Sequence, residues 1–189
     1  MDYDVIIVGG GPAGSTLAGM LLRHRPSCRV CVIERVPFPR FHVGETLVTE
    51  LNRTLQELGV YDTLEGSGFI RKMGATFIWG DANQTWDMLF GDMEWIEEVE
   101  TGRGMVQTTW SWHVERARYD EVLLRHAEAL GAHVREGTGV RDLIHDDQGR
   151  AGGVITDTGE SITGRWVIDA TGQQGLAGSL AEREMDPIL

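Results

Sequence analysis

The sequence has no hydrophobic run that approaches the roughly 20 residues of a membrane-spanning helix, and basic residues are scarce. Its 189 residues contain 17 Lys and Arg against 29 Asp and Glu, which gives a net charge of −12. Nucleic acids and anionic membranes are bound by basic surfaces, so this balance excludes both as predicted partners. The first residues are acidic and lack the basic segment of a signal peptide. We therefore predict a cytoplasmic protein without a membrane span.

Cysteine is also scarce, since the sequence contains only Cys28 and Cys31. A redox or metal site would need both sulfurs on one side, but residues three apart in or beside a strand point to opposite faces. The six histidines show no metal-ligand spacing. The sequence therefore predicts two ordinary reduced cysteines and no metal site.

Glycine, in contrast, is abundant with 25 residues, and three of them form the most informative motif of the chain. The apolar run Val5–Val8 predicts a strand, and Gly9, Gly11 and Gly14 follow it with the spacing G-x-G-x-x-G. A helical pattern and a second strand come next, and that strand ends in Glu34, 20 residues after Gly14. Strand, glycines, helix, strand and acid in this order predict a dinucleotide-binding unit.

Each residue of this fingerprint has a physical task. Gly9 permits a sharp turn, Gly11 lets the backbone approach a pyrophosphate, and Gly14 lets the helix pack closely on the strand. The helix N-terminus attracts phosphate through its free N–H groups and its partial positive charge. Glu34 is placed to accept hydrogen bonds from a ribose hydroxyl.

The rest of the chain alternates strands and helices, which predicts an α/β fold with an inserted sheet. Two prolines and a glycine in residues 35–46 predict an extended segment, here called the strap. An acidic stretch at 92–100 predicts a solvated loop or a short helix, and residues 157–164 are rich in turn formers. Helices are predicted at 47–58, 61–65 and 117–130, and further strands at 75–79, 85–90, 108–114, 132–136, 139–145, 151–156 and 165–169, the last of them buried.

Four segments resemble one known group, the flavin-dependent halogenases. Residues 37–46 of the strap are similar to their flavin-contacting segment, and residues 69–80 to the segment that carries their catalytic lysine. Residues 112–120 and 169–177 resemble an arginine-bearing segment and a second FAD-contacting turn of the wider superfamily, which includes aromatic hydroxylases and geranylgeranyl-type reductases. The first two segments point to the branch that acts on phenol- or pyrrole-like substrates, often bound to a carrier protein.

The resemblance implies a Rossmann-like FAD-binding domain of the glutathione-reductase type over residues 1–189, with part of the substrate-domain sheet inserted at about 69–114. Family members run on well beyond this length and supply a Gly-Asp FAD motif, much of the substrate sheet and a catalytic acid. We therefore expect an N-terminal fragment, or one piece of a split or cleaved enzyme, whose C-terminal remainder is missing.

The resemblance also implies a set of cofactor-binding residues. From the residues alone, Glu45 either contacts the flavin or caps the following helix, and Arg116 either faces the cofactor or pairs with Asp120 one turn on. The implied set is Gly9, Gly11, Pro12, Ala13, Gly14, Ser15, Glu34, Arg35, Arg40, Gly44, Glu45, Thr46, Arg116, Val140, Ala170, Thr171 and Gly172.

Lys72, the only lysine in the sequence, is the predicted catalytic residue. The resemblance implies that FAD, reduced by a separate flavin reductase, oxidises chloride or bromide through a hydroperoxide, and that this lysine directs the oxidised halogen to an aromatic ring. The alternative is a lysine solvated at the start of a strand, as most lysines are. Two other functions stay open: an FAD-dependent monooxygenase or geranylgeranyl-type reductase of the same fold, and a non-catalytic fragment.

Overall fold

The computed structural model of the chain describes residues 1–78, 80, 85–90 and 110–176. The predictions for the acidic stretch at 92–100, for residues 108–109, and for Trp79 and Ala177 therefore lie outside the described residues. The chain divides into two compact units. Unit 1 comprises Met1–Arg40 and Asp120–Leu189, and unit 2 comprises Phe41–Tyr119.

The described residues contain ten strands, four α-helices and one short 3-10 helix. The strands are β1 (Tyr3–Val8), β2 (Val30–Glu34), β3 (Ile70–Lys72), β4 (Gly74–Ile78), β5 (Thr85–Leu89), β6 (Ser111–His113), β7 (His133–Glu136), β8 (Val140–His145), β9 (Ala151–Thr156) and β10 (Ser161–Asp169). The helices are α1 (Pro12–His24), α2 (Glu50–Leu58), α3 (Tyr61–Glu65), α4 (Arg116–Ala129) and the 3-10 helix Gly172–Gln174.

Unit 1 is built on a six-stranded sheet with the strand order β7-β2-β1-β10-β9-β8. The first four strands pair in parallel, and β9 and β8 continue the sheet antiparallel. Parallel strands end at one edge of a sheet, so the chain leaves β1, β2, β7 and β10 along the same edge. In open α/β sheets this carboxyl edge is where ligands bind.

Alternate residues of β1 and β2 enter two apolar clusters on opposite faces of the sheet. One cluster combines strand residues with α1 and α4, and its buried members include Val5, Ile7, Val32, Leu22 and Leu124. The other contains Ile6, Val8, Cys31, Ile33, Val154 and Ile162. Cys28 packs against the first cluster and Cys31 lies in the second, so the prediction that the two cysteines face opposite sides is confirmed.

Unit 2 contains two antiparallel pairs of strands, β3 with β6 and β4 with β5. Its helix α2 ends at Gly59, whose φ of +83° lies in the left-handed region that glycine adopts without strain. Leu55 and Leu58 of α2 are fully buried, as expected for apolar residues at helical spacing, and so are Val60 before α3 and Leu64 within it. Unit 2 spans more of the sequence than the insertion predicted at about 69–114. The assignment of that insertion to a substrate-binding sheet stays a prediction.

Two predicted boundaries are wrong by three or four residues. Helix α2 begins at Glu50 and not at residue 47, because Leu47 donates a backbone hydrogen bond to Trp112 (3.0 Å) and Thr46 bridges to His113. Strand β10 begins at residue 161 and not at 165, because its first residues pair with β9 in a hairpin. It is also less buried than predicted, since Trp166 is 58% exposed.

Among the described helices, none is long and apolar enough to cross a membrane.

Candidate functional site

The turn between β1 and α1 places three glycines at the carboxyl edge of the sheet, and an added Cβ would meet different surroundings at each of them. Gly9 has a φ of +112°, and a Cβ on it would lie 2.3 Å from the carbonyl oxygen of Ala170. A Cβ on Gly14 would lie 1.9 Å from the carbonyl oxygen of Gly9. At Gly11, such a Cβ would meet, apart from atoms of its neighbours in the chain, one described atom within 4 Å, which is Arg40 Nη2 at 3.4 Å. Gly9 and Gly14 therefore shape the turn itself, whereas Gly11 faces an open side.

Helix α1 presents its N-terminus directly after this turn. Pro12 occupies the first helical position, which suits a residue without an N–H group. The helix has no side-chain cap at Gly11 and no acidic residue in its first turn. The first N–H groups of a helix have no partner within the helix and carry a partial positive charge, so this end favours an anionic ligand.

Ser15 and Ala13, both predicted to bind cofactor, lie in the first turn of α1. Ala13 is exposed, whereas Ser15 is fully buried. The Ser15 hydroxyl donates a hydrogen bond to the carbonyl oxygen of Gly10 at 2.7 Å. Ser15 therefore stabilises the glycine turn from within, and its contact with a cofactor stays a prediction.

Glu34 ends β2 with its side chain against the same turn. Its Oε2 accepts a hydrogen bond from the N–H of Gly10 at 2.8 Å, and its Oε1 accepts one from the N–H of Val36 at 2.9 Å. The residue is 7% exposed. Each carboxylate oxygen has two lone pairs, so Glu34 fixes the turn and retains capacity for a ribose hydroxyl.

Arg40 brings a positive charge beside Gly11. Its guanidinium carbon lies 4.8 Å from the centroid of the Phe38 ring. Its Nε is 3.8 Å from Glu34 Oε1, and its Nη2 is 4.0 Å from Asp120 Oδ2. The Arg40 side chain is 16% exposed and that of Asp120 is fully buried. Arg40 Nε is buried and makes no hydrogen bond with the described residues.

A second turn, after β10, approaches Gly9. The N–H of Ala170 donates to the carbonyl oxygen at the end of β1 at 2.8 Å. Asp169 Oδ1 accepts hydrogen bonds from the N–H of Thr171 at 3.0 Å and from its hydroxyl at 2.6 Å. Gly172 has a φ of +70°, so it adopts the left-handed conformation that starts the 3-10 helix.

Unit 1 therefore brings together most of the predicted cofactor-binding residues: the glycine turn, Glu34, Arg40 and the turn at 170–172. Arg35 and Val140 are two further residues of unit 1 that are predicted to bind the cofactor. Arg35 is exposed, and Val140 packs at the edge of the second apolar cluster, where β8 begins. The structure shows no contact that assigns either of them a ligand, and their roles stay predictions.

Within unit 2, Arg116 holds the strap. Its Nη1 donates to the carbonyl oxygen of Val43 at 2.5 Å and lies 3.5 Å from that of Gly44. Gly44 has a φ of +99°, and a Cβ there would lie 3.0 Å from the same nitrogen. This contact makes Arg116 an anchor of the strap backbone, and both interpretations that the sequence left open stay predictions.

Glu45 also acts locally in the strap. Its Oε2 accepts a hydrogen bond from the N–H of Gly44 at 3.0 Å. The residue that precedes α2 is Thr49, four positions on, so the prediction that Glu45 caps this helix is wrong. Thr46 Oγ1 lies 3.1 Å from His113 Nδ1. Contact of Glu45 and Thr46 with a flavin stays a prediction.

Lys72 ends β3, opposite the buried Ser111 of β6. Its side chain is half-buried, and its Nζ lies 5.1 Å from the centroid of the Phe90 ring. An ammonium over an aromatic face is held by the ring quadrupole. The lysine is therefore partly withdrawn from water, unlike a solvated lysine at a strand start, and its catalytic role stays a prediction.

Asp120 is the residue of this site that sequence reasoning missed. Its sequence position suggests only a pairing with Arg116, four residues earlier. Its proximity to Arg40 depends on α4 packing against the sheet, and no local spacing links residues 40 and 120. The only available signal is a charged residue within a helix face that otherwise carries buried residues such as Leu123 and Leu124.

Comparison with known proteins places this geometry among flavoproteins. Residues 2–186 match a family model described as an FAD binding domain. The chain is 35% identical over 197 residues to the 1H-pyrrole-2-carbonyl peptidyl-carrier-protein chlorinase of Pseudomonas fluorescens, covering 99% of this chain and 43% of that protein. It is 34% identical over 176 residues to the tryptophan 2-halogenase of Chondromyces crocatus, covering 91% of this chain and 30% of that protein.

A solved structure shows the same relationship in three dimensions. The myxobacterial chondrochloren halogenase CndH superposes with a TM-score of 0.75 at 34% identity, over 90% of this chain and 37% of that one. The chain thus spans less than half the length of these three relatives.

Proposed function

Since the chain belongs to the FAD binding domain family, we propose that it supplies the flavin-binding portion of a flavin-dependent halogenase. The α/β fold and the homology with halogenases over nearly the whole chain support this proposal. The reaction would oxidise a halide and transfer the halogen to an electron-rich aromatic ring.

The residues of unit 1 fit the phosphates and the ribose of FAD. A Cβ on Gly11 would occupy the side of the turn that a pyrophosphate must approach, and α1 directs its N-terminus there. Arg40 lies beside Gly11 with a buried Nε that has no hydrogen-bond partner among the described residues. Glu34 would accept from a ribose hydroxyl while it holds Gly10. When bound and reduced, FAD supplies the electrons for the chemistry, and these residues bind and orient it.

The position of Lys72 is the observation that favours halogenation over other flavin reactions. Its ammonium carries three N–H donors on a flexible stem, and the Phe90 ring holds it partly out of water. An ammonium placed in this way is suited to bind an electronegative oxidant and to direct it at a ring. Flavin-dependent hydroxylation or reduction requires no such lysine.

The proposed substrate is a phenol- or pyrrole-like ring, presented by a carrier protein. The chlorinase relative is named for a pyrrole held on a peptidyl-carrier protein, and its similarity covers nearly the entire chain. The proposed partners are this carrier, a separate flavin reductase, and chloride or bromide as co-substrate. A cytoplasmic location and a role in antibiotic biosynthesis belong to the same proposal.

The experiment is reconstitution of the protein that carries this chain with a flavin reductase, FAD and NADH, in chloride, bromide or halide-free buffer. Carrier-bound pyrrole, a simple phenol and free tryptophan serve as substrates, and mass spectrometry identifies the products. The proposal predicts a halogenated product that appears only with halide. A hydroxylated or reduced product that forms regardless of halide would replace it with the monooxygenase or reductase alternative. Denaturation of the purified protein should release FAD rather than NAD.

A further inference from the structure

The guanidinium of Arg40 lies between two buried carboxylates without hydrogen-bonding to either. Its Nε is 3.8 Å from Glu34 Oε1, and its Nη2 is 4.0 Å from Asp120 Oδ2. Arginine and carboxylate groups that are free to approach each other close to about 2.7–2.9 Å. Both separations here are about one ångström longer. Each carboxylate therefore attracts a different edge of the guanidinium without forming a hydrogen bond to it.

The carboxylate of Glu34 is not free to close this gap. Its Oε2 is held by the N–H of Gly10 and its Oε1 by the N–H of Val36. The side chain of Asp120 is fully buried on α4. The ring of Phe38 covers one face of the guanidinium. Arg40 is thus positioned by three groups.

The edge of the guanidinium that carries Nη2 faces the glycine turn. Nη2 is the atom that lies 4.0 Å from Asp120 Oδ2, and apart from atoms of the chain neighbours it is also the described atom nearest to a Cβ on Gly11, at 3.4 Å. Because neither carboxylate uses these donors in a hydrogen bond, they stay available to an anion at the N-terminus of α1. Planar guanidinium donors match phosphate oxygens in pairs.

We propose that Asp120 is a positioning residue for phosphate recognition: it draws Arg40 away from Glu34 and keeps the guanidinium donors directed at the pyrophosphate beside Gly11. This inference rests on the proposed binding of FAD but not on halogenation. Without the charge of Asp120, the carboxylate of Glu34 is the one that remains beside the guanidinium among the described residues, so Arg40 moves towards it and away from Gly11. Asp120 then contributes to affinity through Arg40 without touching the ligand.

The test separates phosphate recognition from general damage to the site. Calorimetry of the ligand-free full chain measures its affinity for ADP, which has the pyrophosphate, and for adenosine, which has only the base and the ribose. Asp120→Asn is expected to weaken ADP and FAD binding roughly tenfold to a hundredfold, the range for hydrogen bonds to charged groups, and to leave adenosine binding unchanged. Glu121→Gln, the next residue on α4, changes a partly exposed carboxylate beside Arg125 and is expected to alter neither.

Two further variants make the outcome decisive. In an Arg40→Gln background, Asp120→Asn should cause no additional loss of ADP affinity, because its effect passes through the guanidinium. Asp120→Glu keeps the charge but moves it, and should lower ADP affinity by less than Asp120→Asn does. Equal losses for ADP and adenosine, or an undiminished Asp120→Asn effect without Arg40, would assign Asp120 a purely structural role and overturn the proposal. Failure of halogenation with these binding results intact would reject only the proposed function.

Discussion

The carbonyl oxygen of Gly9 lies so close to Gly14 that a Cβ on Gly14 would be only 1.9 Å away from it. The first and last glycines of the turn are therefore in direct backbone contact across the start of α1. The same Cβ would also lie 3.1 Å from Ile7 Cγ2 in the core of β1. No flexible side chain is available to move, because the nearest obstacle is backbone.

We expect Gly14→Ala to destabilise the fold by at least about 3 kcal/mol, the upper part of the range for overpacked interiors. Chemical unfolding monitored by circular dichroism measures this change. Gly152→Ala is the matched control, because a Cβ there would have only the carbonyl oxygen of Ile144 at 4.0 Å and its φ is not positive. A Gly14→Ala protein as stable as the Gly152→Ala protein would contradict the observed contact.

Gly11→Ala, in contrast, should weaken FAD binding more than it destabilises the fold. Its Cβ would meet only the guanidinium end of Arg40 at 3.4 Å among the described atoms, and loss of glycine at a helix N-cap costs about 1 kcal/mol or less. FAD binding should nevertheless weaken by roughly 2 kcal/mol or more, because the methyl group occupies the approach of the pyrophosphate and disturbs its charge-assisted hydrogen bonds. Chemical unfolding measures the stability of the variant, and FAD titration of the same preparation measures its affinity for the cofactor.

If Gly11→Ala retains wild-type affinity for FAD, the pyrophosphate does not approach the turn at Gly11. If it unfolds as readily as Gly14→Ala, the two glycines share a packing role and the functional distinction between them fails.

This contrast shows what the sequence can predict. The spacing of Gly9, Gly11 and Gly14 after an apolar strand indicated the turn, its packing and its ligand, because all of these depend on neighbours within a few residues. Strand alternation likewise predicted the opposite faces of Cys28 and Cys31. Local geometry was sufficient for this part of the fold and of the candidate site.

Contacts between distant segments could not be predicted in the same way. Asp120 approaches Arg40 only because α4 packs on the sheet. Arg116 donates to Val43 across a separation of 73 residues, which no periodicity encodes. The first half of β10 was predicted as turn because residues such as Ser161 and Gly164 are typical of turns, and pairing with β9 overrides that local preference.

Cys31 gives a prediction about pH. Burial raises the pKa of its thiol from 9.0 to about 11, so the folded protein keeps a proton that the unfolded chain releases near pH 9. The contribution of Cys31 to stability should therefore be constant below about pH 9 and fall by up to about 2–3 kcal/mol as the pH rises to 11. Cys31→Val removes the titrating group and should lose less stability than wild type over this interval, measured by denaturant unfolding at each pH. Cys28→Val is the control and should retain the wild-type dependence.

Lys72→Ala tests whether flavin binding and halogen transfer depend on different residues of the proposed halogenase. The residues proposed to bind the phosphates and the ribose of FAD lie in unit 1, whereas Lys72 lies on β3 of unit 2. Removal of the lysine should therefore leave FAD affinity, flavin reduction and oxygen consumption nearly unchanged. Halogenated product should fall by at least about a thousandfold, at the level expected when a group that acts on the reacting species is lost. Hydrogen peroxide release and product mass, measured in the same reaction, provide the comparison.

Lys72→Arg distinguishes a specific ammonium from a general positive charge. A guanidinium is planar, larger and always protonated, so it should not restore halogenation even though it retains the charge and its attraction to the Phe90 ring. Restored activity in Lys72→Arg would show that charge alone is sufficient. Wild-type halogenation by Lys72→Ala would remove this residue from the reaction altogether. A parallel loss of FAD affinity in both variants would instead give Lys72 a role in cofactor binding, and the oxidant would then have to be directed by another residue.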